Sequence, residues 1–329
     1  MLQTRFLQVV KGAPDCVETL PHDRSGLLCE DGDYLRPTRL FLESIDKWTG
    51  AMLFDDRAGG TDVGKDVEGL VLSKTSGMIS GIPVIERLVE IHFPHCELNW
   101  FVKEGEIVSI TDRVLSLRGP SSSVLNCERV LLNFLGRLSG ISSETMEWVK
   151  ESSGIAVACT RKTAWGILDK WAVHVGGGLT HRLSKLDSTM VKENDLASFD
   201  PPVKDLELAV KMAVRSIDTV SNSSFAVIEV RDTAQVVSAA SEWSDVQSRN
   251  NVKDRIVLLL DNMGPDKCRM AHEILLNCGL RKGCILEGSG GITRGDIEQW
   301  IGSGADLIST SKVNMAAPML DFSLIVGDL

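Results

Sequence analysis

Short, continuously apolar runs recur through the C-terminal two-thirds of the chain, at residues 155–159, 189–191, 225–230, 256–261, 285–287 and 307–309. Each has the length of a buried strand and is bounded by turn residues. A further strand is expected after the triple glycine at 176–178, ending near His181 and Arg182. Most of the runs are followed by stretches with helical spacing, such as residues 203–213. Alternation of this kind implies parallel strands with helices packed outside them, and hence an α/β fold built on a β/α barrel. Seven strands are counted, one short of a full eight.

The N-terminal third has a different pattern. Residues 38–48 place Leu40, Phe41, Ile45 and Trp48 at helical spacing. Alternating runs at 69–72, 97–102 and 107–110 predict strands, with the Lys-Glu-Gly-Glu stretch 103–106 as a hairpin turn between the last two. A helix is predicted over 81–92 with Ile85, Leu88 and Val89 inward. Another is predicted over 125–139, where Val130, Leu131, Phe134, Leu135 and Leu138 share one face and Glu128, Arg129 and Arg137 lie elsewhere. The expected organisation is an N-terminal extension over 1–35 with no assignable chemistry, an α/β sandwich over 36–124, the barrel over 125–311, and a C-terminal segment over 312–329 that returns to the N-terminal domain.

At 329 residues, 43% of them hydrophobic, the chain is long enough for a barrel and a smaller partner domain. A net charge of -10 argues against nucleic acid as a partner, because backbone binding needs a spread of Lys and Arg. The eight cysteines show no Cys-x-x-Cys pair and no Cys/His ligand spacing, which speaks against zinc or redox chemistry and for reduced thiols in the cytoplasm. Residues 1–10 lack the pattern of a signal peptide, and no run of eighteen apolar residues predicts a membrane span.

Against this acidic background stands a basic island. Residues 160–194 carry Arg161, Lys162, Lys170, His174, His181, Arg182, Lys185 and Lys192 but only three acids, Asp169, Asp187 and Glu193. Thr160, Arg161 and Lys162 follow the first barrel strand, His181 and Arg182 the second, and Lys192 the third. A β/α barrel keeps its active site at the C-terminal ends of its strands, so a multiply charged anion is the expected ligand. Guanidinium groups there suit bidentate carboxylate binding, with ordinary surface charge as the alternative. Glu229 and Asp261 end two later strands, where carboxylates must meet cations, either a ligand's or those of the island. Gly288, Ser289, Gly290 and Gly291 form a Gly-rich turn before a helix expected near Thr293. Its backbone N–H groups and helix dipole would suit a phosphate, with Ser309, Thr310 and Ser311 completing the cup.

The Thr-Arg-Lys-Thr stretch 160–163, the Gly-Gly-Gly-x-x-His-Arg-Leu stretch from 176 and the Lys-x-Asn stretch 192–194, preceded by Glu128-Arg129 and the run 132–141, resemble the quinolinate phosphoribosyltransferase family, also called nicotinate-nucleotide pyrophosphorylase (carboxylating). The likeness runs from about 64 to 311. It implies an incomplete seven-stranded barrel with an N-terminal α/β sandwich. It also implies phosphoribosyl transfer from phosphoribosyl pyrophosphate to quinolinate with decarboxylation, giving nicotinate mononucleotide, pyrophosphate and CO2 in NAD biosynthesis. Carried over residue by residue, Arg129, Thr160, Arg161, Lys162, His181, Arg182 and Lys192 would bind substrate. Lys162, Lys192, Glu229 and Asp261 would be catalytic, with Glu229 and Asp261 near Mg2+. The family's homodimer shares its active sites, with Arg129 entering the neighbouring subunit's pocket, and such dimers could build a hexamer. Three departures bear on substrate choice: Ala164-Trp165-Gly166 after the first motif, Asp195 in place of a histidine, and Arg231 where an acid is common. Nicotinate or another heteroaromatic acid as acceptor, or a non-catalytic nucleotide-binding role, are the alternatives.

Overall fold

The computed structural model describes residues 20–58, 62–198, 203–218 and 224–327; the first nineteen residues of the extension lie outside them. Helix α1 (Arg39–Asp56) starts at Thr38, whose hydroxyl accepts from Phe41 N, and buries Phe41, Ile45, Thr49 and Leu53 at helical spacing. Strands β1 (Asp66–Ser73) and β2 (Gly77–Met78), helix α2 (Ile82–His92), and strands β3 (Glu97–Trp100), β4 (Ile107–Val108) and β5 (Arg113–Pro120) follow.

The hairpin expected between 97–102 and 107–110 does not form. Strand β3 pairs with β5 and β4 pairs with β2, both antiparallel. The cause lies in the supposed turn. Its Glu104 carboxylate points inward and accepts from Gly81 N at 2.8 Å, Ile82 N at 2.7 Å and Ser80 Oγ at 3.0 Å, capping α2. It also accepts from the indole of Trp171, 2.7 Å away in the barrel domain.

Helix α3 (Ser121–Glu151) is a single 31-residue helix, twice as long as the apolar stripe over 125–139 suggested. The small residues from Ser139 to Ser143, which resemble a break, are packing sites. At Gly136 and Gly140 a Cβ would strike the backbone of Leu320 and Pro318, and Leu320 N donates to Gly136 O at 2.9 Å. The returning chain then forms the last strand, β12 (Phe322–Val326), which pairs with β1 and completes the antiparallel sheet in the order β12-β1-β5-β3.

Between these elements lies the barrel: β6 (Ala156–Cys159), α4 (Ile167–Val175), β7 (Thr189–Val191), α5 (Glu193–Ala197), α6 (Leu206–Arg215), β8 (Ala226–Val230), α7 (Thr233–Asn250), β9 (Ile256–Asp261), α8 (Gly264–Asn277), β10 (Cys284–Ser289), α9 (Ile297–Trp300), β11 (Leu307–Thr310) and α10 (Lys312–Met315). The parallel sheet runs β6-β11-β10-β9-β8-β7. The seventh strand is reduced to one parallel bridge, Leu179 beside Ala158, with Leu179 N donating to Val157 O and Cys159 N to Leu179 O. Its preceding glycines are poor strand formers, and His181 takes φ +50°, which ends the pairing. The sheet therefore stays open between Leu179 and β7. Ala158, Phe225, Val227, Val257, Leu259, Ile285 and Leu307 fill its interior, and Leu20 packs against them. Among the described residues no helix is long and apolar enough to cross a membrane.

Candidate functional site

The parallel register brings the C-terminal ends of the strands to one rim. Ser289 lies level with Asp261 and with Ser309, and Thr310 with Cys159. Thr160, Arg161 and Lys162 leave β6 there, Lys192 leaves β7, and Glu229 stands on β8. Arg161 and Lys162 are exposed, whereas His181 and Arg182 are buried. Burial lowers the pKa of Arg182, and the neighbouring charge of Arg161 lowers it further. Neither arginine has an ion-pair partner among the described residues. Arg182 Nη1 donates to Ser188 O at 3.2 Å, and two guanidinium groups that repel one another without a direct ion pair have the chemistry to bind an anion.

The loop carrying Arg161 and Lys162 is held from below by residues to which the sequence assigns no role at the site. Asp169, at the first turn of α4, is fully buried. Its Oδ2 accepts from Arg137 Nη2 at 2.9 Å, Ala164 N at 2.9 Å and Asn314 Nδ2 at 3.1 Å, and its Oδ1 from Arg137 Nε at 3.3 Å and Trp165 N at 3.4 Å. Asn314 Nδ2 also donates to Lys162 O at 2.8 Å. Trp165, one of the departures, packs its ring against both Phe134 and the Arg137 guanidinium, so it is part of this support. Lys170 is buried too. Its ammonium donates to Thr160 O at 3.2 Å and Thr180 O at 2.6 Å, tying the residue before Arg161 to the residue before His181. These carbonyls offset the cost of burying the amine.

Glu229 Oε2 meets Lys192 Nζ at 2.9 Å. Arg231 reaches both acids, 3.8 Å from Glu229 Oε1 and 3.9 Å from Asp261 Oδ2, and pairs with Glu193 at 2.6 Å. The two carboxylates thus converge on one guanidinium. They offer hard oxygen donors on neighbouring strand ends, a set that suits Mg2+ shared with a phosphorylated ligand. Asp195 caps α5, accepting from Lys192 N at 2.8 Å, so the departure at 195 shapes the turn after Lys192.

His181 lies behind the rim. Its Nδ1 accepts from Arg182 N at 2.7 Å, which leaves Nε2 as the protonated nitrogen, 3.1 Å from Glu287 Oε1. Burial holds the imidazole below its usual pKa. Burial alone would raise Glu287, but His181 and His22 outweigh it and keep the carboxyl well below the usual range. His22 Nε2 lies 3.2 Å from the other oxygen, Oε2. These three residues are the one His/Cys/Asp/Glu cluster among the described residues able to converge on a metal ion. A ring nitrogen that donates to a carboxylate has no lone pair for a metal, so as it stands the trio is a hydrogen-bonded unit.

Of the expected Gly-rich turn, Gly288 and Ser289 belong to β10 and pair with β9 and β11, so the turn itself starts at Gly290, and the expected helix does not begin at Thr293. A 3-10 turn (Arg294–Asp296) capped by Thr293 leads into α9, only four residues long. Any anion cradle there rests on backbone N–H groups, with little help from a helix dipole. Gly290 and Gly291 have φ of +105° and +64°, and a Cβ on Gly290 would collide with Asn262. The Thr310 hydroxyl donates to Ile292 O at 2.9 Å and fixes the far side of the turn, while Ser309 is buried and Ser311 is the residue just before α10. Arg129 is exposed on α3, away from its own chain's core.

The chain matches two family descriptions: quinolinate phosphoribosyl transferase, C-terminal domain, over residues 141–325, and quinolinate phosphoribosyl transferase, N-terminal domain, over residues 55–139. It is 34% identical over 266 residues to a probable nicotinate-nucleotide pyrophosphorylase (carboxylating) of Archaeoglobus fulgidus, covering 79% of this chain and 94% of that one. It is 31% identical over 258 residues to the human nicotinate-nucleotide pyrophosphorylase (carboxylating), covering 77% and 80% respectively. The crystal structure of NadC from Streptococcus pyogenes aligns with a TM-score of 0.72 at 28% identity, covering 89% of this chain and 99% of that one.

Proposed function

The chain belongs to the quinolinate phosphoribosyltransferase family, and from that membership and its barrel rim we infer that it transfers phosphoribose from phosphoribosyl pyrophosphate to quinolinate, releasing pyrophosphate and CO2 and forming nicotinate mononucleotide. The observation that carries the substrate assignment is the pair Arg161 and Arg182, two guanidinium groups close enough to repel and neither of them ion-paired among the described residues, which suits a ligand with two neighbouring carboxylates.

In this mechanism Arg161 and Arg182, with Thr160 and Lys162, hold the pyridine dicarboxylate with its ring nitrogen toward the ribose. His181 supports Arg182 from behind through the bond between its ring and the Arg182 backbone. Gly288, Ser289, Gly290 and Gly291, with Ser309, Thr310 and Ser311, hold the ribose 5-phosphate. The C–N bond forms as pyrophosphate leaves, and Glu229 and Asp261 stabilise the cationic, oxocarbenium-like ribose. Lys192 sits against Glu229, where its ammonium can also meet the substrate. Bound Mg2+, held by Glu229 and Asp261, would neutralise the departing pyrophosphate. The new pyridinium nitrogen stabilises negative charge on the adjacent carbon: the C2–carboxylate bond breaks, CO2 leaves, its electron pair stays on C2 in the ring plane beside the positive nitrogen, and that pair takes up a proton.

We place this chemistry in a homodimer in which Arg129 of one subunit completes the other's site. A closed two-fold gives two equivalent sites. All seven described cysteines are free, which fits a reducing compartment such as the cytoplasm. The assay supplies phosphoribosyl pyrophosphate and Mg2+ with either quinolinate or nicotinate, and separates the products. Nicotinate mononucleotide from quinolinate at a much higher kcat/KM supports the assignment; product from nicotinate alone overturns it. Mixing Arg129→Ala with Arg161→Ala protein tests the shared site. Random re-association should restore roughly a quarter of wild-type activity by subunit counting. A dead mixture with proven subunit exchange assigns Arg129 to its own chain.

A further inference from the structure

Residues 20–24 precede both segments matched to the family, the first of which begins at residue 55. They nevertheless enter the barrel through the gap between Leu179 and β7. Leu20 packs on the interior cluster. His22 is fully buried, its ring 4.8 Å from those of His181 and Phe225. Its Nε2 lies 3.2 Å from Glu287, whose other oxygen takes the His181 Nε2 proton, and His181 Nδ1 in turn accepts Arg182 N. An unbroken chain of hydrogen bonds therefore links His22 to the backbone of Arg182.

The same segment grips the rest of that loop. Arg24 N donates to Thr180 Oγ1 at 2.8 Å, and Thr180 Oγ1 donates to His22 O at 3.3 Å. At the loop's other end Arg24 Nη2 pairs with Asp187 at 3.0 Å, and Asp187 accepts from Leu183 N at 3.0 Å and Ser224 Oγ at 2.9 Å. The loop over 180–188 crosses the open edge of the sheet, so no strand ladder holds it. His181 sits in it at φ +50°, a conformation that persists only where surrounding contacts impose it.

We propose that residues 20–24 are a built-in strap for the open barrel, in which His22 and Arg24 act as positioning residues that fix the loop carrying His181 and Arg182 for recognition of the pyridine carboxylates. This rests on the assignment of Arg182 to the substrate. It gives the N-terminal extension a role in substrate affinity without any contact with substrate.

The test uses full-length His22→Phe, which keeps the ring volume but removes the donor, His22→Gln, which keeps a donor, and Arg24→Met. Two measurements are made. Hydrogen exchange of the peptide spanning 180–188 should speed up by about tenfold or more in His22→Phe and Arg24→Met while β9 and β10 exchange as before. The KM for quinolinate should rise by about tenfold or more with the KM for phosphoribosyl pyrophosphate unchanged, and His22→Gln should recover most of both effects. Unchanged exchange, uniformly faster exchange across the barrel, equal changes for both substrates, or no rescue by glutamine would each overturn the positioning role. A wild-type protein inactive on quinolinate would overturn the substrate assignment instead, and the exchange measurement would still decide whether the strap holds the loop.

Discussion

Asp169→Asn should cost the protein both stability and substrate affinity, although Asp169 touches no proposed substrate atom. Asparagine has nearly the same shape, so no cavity arises and the loss is electrostatic. It can keep its oxygen where Oδ2 accepts the three shorter bonds, from Arg137 Nη2, Ala164 N and Asn314 Nδ2 at 2.9–3.1 Å. Its amide nitrogen then faces Arg137 Nε and Trp165 N, at 3.3 and 3.4 Å, as one donor against two. Removing one charge from a buried pair costs about 3–5 kcal/mol, because the other is left uncompensated. Arg137 retains 15% side-chain exposure, so water relieves part of this and the lower end, about 3 kcal/mol, applies. At roughly 2–4 °C per kcal/mol for a large domain, Tm should fall by roughly 6–12 °C. The loop from Lys162 to Trp165 loses its anchor, so quinolinate binding should weaken as well. Calorimetric melting and quinolinate titration of the purified variant are the assays. A Tm within 2 °C of wild type, at the precision implied by about 0.5 kcal/mol, with unchanged affinity would refute the role given to Asp169.

Arg161→Ala should abolish measurable quinolinate binding by calorimetry without lowering Tm, since it removes charge-assisted contacts worth about 1.5–3 kcal/mol from an exposed side chain; unchanged affinity would remove it from the site. Ser289→Glu should weaken phosphoribosyl pyrophosphate far more than quinolinate, because a carboxylate in the Gly-rich turn repels a phosphate; equal loss would mean a general collapse of the rim. The His174 pKa is lowered by burial beside Trp171 and Tyr34, so the unfolded chain binds its proton first as pH drops below about 6.5. Stability from this group is intact above that pH and is lost as pH falls, so His174→Gln should flatten the decline in urea midpoint between pH 7 and 5; an identical slope contradicts this.

The rim was legible because a barrel puts charged residues directly after buried strands, and Arg161, Lys192, Glu229 and Asp261 each follow or end an apolar run. The support beneath it was not. Asp169 and Lys170 sit in a helical stretch where charge normally faces water; the return of Asn314 and the approach of Arg137 from α3 make the burial of Asp169 possible, and the carbonyls of Thr160 and Thr180 that of Lys170. Glu104 looked like a turn residue because its partners, Gly81, Ile82 and Trp171, lie 22 to 67 positions away. His22 was the least legible residue: it sits among proline, glycine and scattered charge without periodicity, and its partner Glu287 is 265 positions distant. The missing regular seventh strand has a local cause, the triple glycine and the left-handed His181, yet its structural consequence, a gap filled by residues 20–24, is wholly long-range.

Phosphoribosyl transfer and decarboxylation should be coupled on this barrel. Quinolinate labelled at its 2-carboxylate, incubated with the protein, phosphoribosyl pyrophosphate and Mg2+, tests it most directly. Labelled CO2 and nicotinate mononucleotide should form in equal amounts, and neither should form when phosphoribosyl pyrophosphate is omitted. CO2 released without phosphoribosyl pyrophosphate, or a nucleotide that retains the label, would contradict it.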